Sequence, residues 1–160
     1  MDRIVIIGND KPAKLIIEHA RALNPDLAFT VFGPPLASRE ANWFKKHRVD
    51  LRLGVRAIEI DRFARRVTGD DGTRIMFDRL ILTEPCPELA RSAKLQVSSG
   101  VLVNTYMQTS DGYVYALGDS VECPAGMSLG SLNDHAKIIA RHICSSSPRM
   151  FAAAEVEPRI

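Results

Sequence analysis

Residues 1–13 read M-D-R-I-V-I-I-G-N-D-K-P-A, and this stretch decides the fold of the chain. The apolar run from Ile4 to Ile7 is typical of a buried parallel strand, and the residues after Gly8 have the spacing of a helix. A strand, a glycine turn and a helix in this order form the entry to a βαβ unit of the kind that binds dinucleotides. The sequence therefore predicts an α/β fold.

The glycine fingerprint of such units, Gly-x-Gly-x-x-Gly, is only partly present. Its three glycine positions hold Gly8, Asp10 and Ala13. The Cβ of Asp10 blocks close approach of a pyrophosphate, and its carboxylate faces the phosphate. That like-charge contact costs about 4 kcal/mol at about 4 Å, and Lys11 offsets part of it. In a second interpretation, Asp10 caps the helix by accepting from the Ala13 N–H, so that the protein's own carboxylate fills the anion site.

The rest of the chain predicts a parallel sheet with flanking helices and a small antiparallel meander. Helices are predicted at 12–23, 38–47 and 130–144, and strands at 3–7, 27–33, 49–53, 57–60, 66–68, 73–77, 78–83, 101–104 and 113–117. The segment 84–99 is rich in Pro, Ser and charge and is predicted to be a connection. Residues 1–145 are expected to form one domain, and residues 146–160 a flexible tail.

Length and composition favour a single domain without nucleic-acid or membrane partners. The net charge of +2 is small and the basic residues are scattered, so no phosphate-tracking stripe is predicted. No apolar run reaches the roughly 18 residues of a membrane span. The cysteines, Cys86, Cys123 and Cys144, fit no zinc spacing. They favour reduced thiols in a cytoplasmic protein, and no metal site is expected.

Three stretches carry a family resemblance: Ile4–Asn9, Thr30–Gly33, and Val103–Ser110 running on to Tyr115–Glu122. Together with the order of elements, they resemble the FAD-binding half of the pyridine nucleotide-disulfide oxidoreductases. The flavin domains of NADH-dependent nitrite reductase large subunits and of rubredoxin reductases are the most similar. The resemblance covers residues 1–144. It implies a Rossmann-like FAD/NAD(P)-binding fold and FAD as the cofactor.

The resemblance also implies cofactor contacts, and several of them are altered. An acidic residue after the second strand holds the adenosine ribose in the family, but Pro34-Pro35 stands there. The family's Ala-Thr-Gly turn is replaced by Thr83-Glu84-Pro85. Only Gly118-Asp119 matches, and there the family's Asp binds a ribityl hydroxyl. The candidate cofactor-binding residues are therefore Gly8, Asp10, Lys11, Ala13, Gly33, Gly118 and Asp119. FAD binding is predicted to be weak or lost, and no catalytic residue is predicted.

In the family, an NAD-binding domain precedes the Val103 stretch. Only residues 88–100 occupy that place, so the chain has no predicted NADH site. Apolar residues lie in or next to this segment: Leu89, Leu95, Val97, Val101 and Leu102. They either fold back as a lid or form an exposed patch for a second copy or a partner oxidoreductase subunit. The patch interpretation predicts a homodimer or a hetero-complex.

Two functional hypotheses follow. In the first, the chain is a degenerate FAD-binding-like domain that serves as a non-catalytic binding or regulatory subunit. In the second, it is a minimal flavoprotein, an oxidoreductase component that takes electrons from a separate protein. Asp10, Pro35 and Glu84 favour the first hypothesis, and Gly8 and Asp119 favour the second. The sequence leaves open whether the protein is an enzyme.

Overall fold

The central element is a five-stranded parallel sheet, and a computed structural model describes residues 2–122 and 131–145 of the chain. The strands are β1 (Arg3–Ile7), β2 (Ala28–Gly33), β3 (Val49–Leu53), β4 (Ala57–Asp61), β5 (Arg66–Gly69), β6 (Arg74–Met76), β7 (Arg79–Leu82), β8 (Val101–Leu102), β9 (Val114–Ala116) and β10 (Val121–Glu122). The helices are α1 (Lys11–Leu23), α2 (Ser38–Lys46), α3 (Pro87–Ser92) and α4 (Leu132–Cys144). The large sheet has the order β3-β2-β1-β7-β9, and the predicted Rossmann-like fold class is confirmed.

Strand β1 lies at the centre of this sheet. It pairs in parallel with β2, where Ile4 faces Phe29, and with β7, where Ile4 faces Arg79. Ile4 to Ile7 are all buried, as expected for a parallel strand covered on both faces. Helices α1 and α4 pack against each other, and His19 of α1 hydrogen-bonds Asn133 of α4 at 2.7 Å.

The predicted meander forms a separate antiparallel sheet of three strands, in the order β4-β5-β6. Its inner face buries Ile60 and Val67, whereas Phe63 projects from the turn between β4 and β5 and is 95% exposed. Strand β4 lies at one edge of this sheet. The meander therefore has one buried face, and helix α3 packs against β4.

The segment 84–100 contains a short helix, α3, that the sequence interpretation missed. Pro87 occupies its first turn, where the missing N–H costs no hydrogen bond, and that position was an available signal. Leu95 and Val101 are buried, so the segment folds back on the domain. The predicted exposed apolar patch on this segment is therefore wrong. The burial of Leu95 and Val101 agrees with the alternative, in which the segment folds back as a lid.

Two expectations fall outside the described residues: the flexible tail at 146–160, and the thiol of Cys123. Cys86 and Cys144 are both free thiols. None of the helices in the described ranges combines the length and the hydropathy that a membrane crossing requires. Within the same ranges, no group of three or more His, Cys, Asp or Glu side chains could hold a metal ion.

Candidate functional site

The carboxyl ends of four parallel strands meet at one edge of the sheet, and this edge is the candidate site. Gly8 follows β1, Gly33 ends β2, Thr83 follows β7, and Gly118 lies just beyond β9. Parallel α/β sheets bind ligands in the crevice outside these carboxyl ends. The chain order thus brings the predicted residues Gly8, Gly33 and Gly118 together at one edge.

Asp10 caps helix α1 with its own side chain. Its Oδ1 accepts a hydrogen bond from the Ala13 N–H at 3.4 Å, and Pro12 occupies the first turn. The capping interpretation of Asp10 is therefore confirmed. Because the N-terminus of a helix attracts anions, the carboxylate occupies the position at which a phosphate binds in other βαβ units. Lys11 begins the helix and is exposed.

Gly8 adopts a conformation that few residues other than glycine adopt, with φ of +130°. A Cβ at this position would lie 1.9 Å from Oγ1 of Thr83. The buried Thr83 hydroxyl also donates to the carbonyl of Ile7 at 3.2 Å. In dinucleotide sites such a glycine lets the ligand lie close to the backbone. Here the side chain of Thr83 lies in that space.

Asn9 packs against Gly33 at the end of β2, as Thr83 packs against Gly8 at the end of β1. Its side chain is buried, and a Cβ on Gly33 would lie 2.3 Å from it. Its Nδ2 donates to the carbonyl of Pro34 at 2.8 Å, which ties the turn after β1 to the turn after β2. Sequence reasoning missed Asn9 because the contact joins residues 25 positions apart.

Gly118 is the third glycine at this edge that lies close to other parts of the chain. Its φ is +75°, and a Cβ at this position would lie 3.0 Å from Cγ of Pro12 and 3.7 Å from the carbonyl oxygen of Thr83. The next residue, Asp119, belongs to a short 3-10 turn and is exposed. The buried hydroxyl of Ser120 anchors this turn by donating to the carbonyls of Leu82 at 2.8 Å and Leu117 at 3.0 Å.

Burial and then neighbouring negative charge raise the pKa values of Asp10 and Glu84 at this edge. Burial raises the pKa of Asp10 above its ordinary 3.8, against hydrogen bonds from Thr83 and the Ala13 N–H, and the charge of Asp119 raises it further. Burial likewise raises the pKa of Glu84, and the charge of Asp10 adds to that shift. The ionised form of each group is therefore disfavoured, and a further anion placed beside the ionised carboxylates would add to that cost.

Two clefts lie beside Glu84. A cleft of about 300 Å³ runs along the turns after β2 and β3 and includes Pro35 and Arg56. A second cleft of about 540 Å³ lies between the start of β4 and helix α3. Cys86 lines the second cleft, where burial and then the charge of Glu84 raise the pKa of its thiol to about 11. This thiol is protonated at neutral pH and is a poor nucleophile.

A parallel sheet with a βαβ entry and a glycine turn at its carboxyl edge defines the dinucleotide-binding class of folds. Within that class, the model of the family described as pyridine nucleotide-disulphide oxidoreductase matches residues 16–146. The chain belongs to this family. Its resemblance to NAD(P)H-dependent flavin oxidoreductases is thereby confirmed.

Individual relatives agree with this assignment. Putidaredoxin reductase CamA of Pseudomonas putida is 31% identical over 140 residues, which cover 77% of this chain and 33% of that protein. Nitrite reductase [NAD(P)H] of Bacillus subtilis is 28% identical over 56% of this chain and 12% of its own length. The chain thus spans a third or less of these two relatives. A NAD-dependent persulfide reductase from A. fulgidus has the same fold, with a TM-score of 0.77 at 13% identity over 89% of this chain and 59% of that one.

Proposed function

We propose that this chain is a degenerate FAD-binding-like domain that acts as a non-catalytic binding or regulatory subunit. The observation that carries the proposal is the Asp10 cap: the chain's own carboxylate accepts from the Ala13 N–H at the helix N-terminus. The protein thereby supplies the anion that a βαβ unit otherwise takes from its ligand.

The side chains at this edge do not fit a pyrophosphate. A phosphate at the start of α1 has to displace Asp10 from its cap and then lie near Glu84 and Asp119. At a surface-like dielectric, each such like-charge contact costs about 4 kcal/mol at about 4 Å. Lys11 is the cation nearest in sequence, and it offsets one contact at most.

The glycines at this edge support the same conclusion. Glycine lets a ligand approach the backbone closely, but here Thr83 packs against Gly8 and Asn9 against Gly33. A cofactor needs both of these side chains to move. Asn9 has to give up its hydrogen bond to Pro34, and a buried amide left without a partner costs about 1–3 kcal/mol.

The family relationship supports a role beside a partner protein. The relative in Pseudomonas putida is named as the reductase of putidaredoxin. We propose an oxidoreductase subunit or a second copy of the chain as the partner of this chain.

Flavin stoichiometry tests the proposal. We expect the full chain, purified without added cofactor, to release far less than one flavin per chain on denaturation. The absorbance of the released flavin, divided by the protein concentration, gives the ratio. A yellow preparation that releases about one flavin per chain, as expected of a preformed site, would overturn the proposal.

A second candidate function is a minimal FAD-binding flavoprotein with a separate electron donor. The clefts beside Glu84 favour it, since the smaller one has a volume of about 300 Å³ and borders the carboxyl end of β2. Flavin stoichiometry distinguishes the two candidates, whereas turnover of NADH tests the expectation, common to both, that the chain has no NADH site. Hydride transfer needs donor and flavin held in near-attack geometry, and residues 84–100 form only a short helix and a loop where the family has an NAD domain. We therefore expect no NADH oxidation above the rate of free FAD when FAD is added to the chain.

A further inference from the structure

Basic residues that are scattered along the sequence come together on one helix layer of the fold. Strands β1, β2 and β3 are successive neighbours in the sheet, so right-handed crossovers place α1 and α2 on the same face. The Nζ of Lys14 on α1 accordingly lies 5.6 Å from the ring centroid of Trp43 on α2. These two helices hold six basic and two acidic residues, a net charge of +4, whereas the whole chain carries +2. The remaining residues therefore carry −2 together.

The single tryptophan of the chain lies on this basic layer. Arg39, Trp43 and Lys46 follow one another at helical spacings of four and three residues, so they share one face of α2. Arg39 and Lys46 are exposed and Trp43 is half-buried. We name these three residues and Lys14 the Trp43 surface. In the part of the chain that the structure describes, none of its three cations lies within 4.0 Å of a carboxylate, so their charge is not neutralised.

The Trp43 ring is held by its neighbours on three sides. The His47 ring stacks on it with 3.9 Å between centroids, the Phe44 ring packs edge-on at 5.1 Å, and Lys14 lies over it. A side chain that is already ordered loses little conformational entropy when a partner covers it. Tryptophan and arginine are also the residues that most often dominate binding energy at protein interfaces. The Trp43 surface thus combines a rigid aromatic side chain with unneutralised positive charge.

We propose that the Trp43 surface binds an acidic surface of a partner protein. In this complex the Trp43 ring forms the apolar centre of the contact. Lys14, Arg39 and Lys46 surround it and pair with carboxylates of the partner, so that the two potentials are complementary. Such charges accelerate association, and they weaken as salt is added.

Two glutamates favour a protein over other polyanions as the partner. Glu18 on α1 and Glu40 on α2 are both exposed. Lys14 and Glu18 are four residues apart, and Arg39 and Glu40 are adjacent, so each glutamate lies beside a cation of the surface. A nucleic-acid backbone or an anionic membrane presents only negative charge and meets both glutamates as like charges. A protein surface can place basic or neutral side chains opposite them.

The existence of a partner rests on the proposed function, in which the chain is a binding subunit, and the Trp43 surface supplies its docking face. The surface is built from α1 and α2 and does not include the carboxyl-edge glycines. Flavin release and binding at Trp43 are therefore separate measurements. A preparation with one flavin per chain would overturn the proposed function without testing this surface, and the reverse also holds.

Fluorescence of the full chain tests the surface, because Trp43 is its only tryptophan and its emission reports contact at this place. The probe is a synthetic peptide of glutamates on both sides of one phenylalanine. We expect this peptide to change the emission of Trp43 in a saturable way, with a dissociation constant that rises as salt is added. The same peptide with lysines in place of its glutamates should not bind, and alanine in place of its phenylalanine should weaken binding.

Charge-reversal variants locate the binding. We expect Arg39→Glu combined with Lys46→Glu to raise the dissociation constant of the acidic peptide by about tenfold or more. The matched control is Arg74→Glu combined with Lys94→Glu, which changes the net charge equally at exposed positions outside the two helices. The control should leave the constant nearly unchanged. Circular dichroism verifies that both double variants fold.

Several results would overturn the proposal. One is a Trp43 emission that does not respond to the acidic peptide at low salt. Another is an equal rise of the dissociation constant in both double variants, which would show that net charge alone decides binding. Tighter binding of oligothymidylate, or of phosphatidylglycerol vesicles, than of the peptide would assign the surface to nucleic acid or to a membrane instead.

Discussion

The two edges of the parallel sheet use charged side chains in opposite ways. At the amino edge, the guanidinium of Arg21 donates to four backbone carbonyls: those of Pro25 at 2.9 Å, His47 at 3.1 Å, Arg48 at 3.2 Å, and Leu27. At the carboxyl edge, burial and then the charge of Asp119 raise the pKa of Asp10, and burial and then the charge of Asp10 raise the pKa of Glu84. The first edge uses a charge to hold chain segments together, whereas the second concentrates charges of one sign.

Residues that maintain the fold and residues that define the candidate site lie at opposite edges of the sheet. The Arg21 contacts join the end of α1, the approach to β2 and the approach to β3, so they stabilise the βαβ unit itself. The carboxyl edge has glycine turns with positive φ at Gly8 and Gly118. Thr83 packs against Gly8 and Asn9 against Gly33, and we propose that these side chains, with Asp10, oppose the ligand usual in this architecture.

The largest expected effect is at the amino edge. Arg21→Met keeps the apolar stem but removes donors to four carbonyls, and we expect a loss of about 3–5 kcal/mol in the free energy of unfolding. Urea denaturation followed by circular dichroism measures it. Arg39→Met, at an exposed position of α2, is the matched control and should change stability by less than about 0.5 kcal/mol. Equal losses in the two variants would show that the hydrogen bonds of Arg21 do not stabilise the fold.

Gly8 gives the next largest effect. Gly8→Ala places a Cβ 1.9 Å from Thr83 Oγ1 at φ of +130°, and we expect a loss of about 2–4 kcal/mol in unfolding free energy. Gly72→Ala is the control, because Gly72 has φ of +86° with no atom within 4 Å of the added Cβ, which leaves only a backbone cost of about 1 kcal/mol. Adding Thr83→Ala to Gly8→Ala should recover part of the loss. No recovery would show that the cost lies in the backbone alone.

The sequence predicted more of the fold than of the site. The run from Ile4 to Ile7 has the pattern of a parallel strand buried on both faces, and Asp10 followed by Pro12 is a local helix-start signal. The positions of Asn9 and Thr83 depend on contacts with residues distant in sequence, so no local pattern predicts which space they fill. The cofactor contacts inferred from the resemblance, such as Lys11 and Asp119, remain predictions.

Substitutions that restore the family's residues at positions 10 and 35 test whether Asp10 and Pro35 weaken cofactor binding. We expect Asp10→Gly combined with Pro35→Glu to strengthen FAD or ADP binding by about 1–3 kcal/mol, because it removes a like charge and supplies a ribose acceptor. The Asp10→Gly change costs only a few tenths of a kcal/mol as a helix cap. Titration calorimetry on the wild type and the double variant measures the gain. An unchanged affinity in a folded variant would show that Asn9 and Thr83 close the site by themselves.

The smallest effect concerns the charge of Glu84. Burial and then the charge of Asp10 raise the pKa of Glu84 above its ordinary value of 4.5, so its ionised form is disfavoured in the folded state. Stability from this group is therefore fully present below the unfolded pKa of 4.5 and is lost as the pH rises through the higher folded value. Since the group is only partly buried, we expect Glu84→Gln to stabilise the protein by a few tenths of a kcal/mol at about pH 7 and not at about pH 4.

Glu88→Gln, at an exposed position on the same segment, is the control and should show no such pH-dependent gain. Thermal unfolding of the three proteins at both pH values measures the effect, and equal curves for the Glu84 and Glu88 variants would contradict the idea that clustered charge strains this edge.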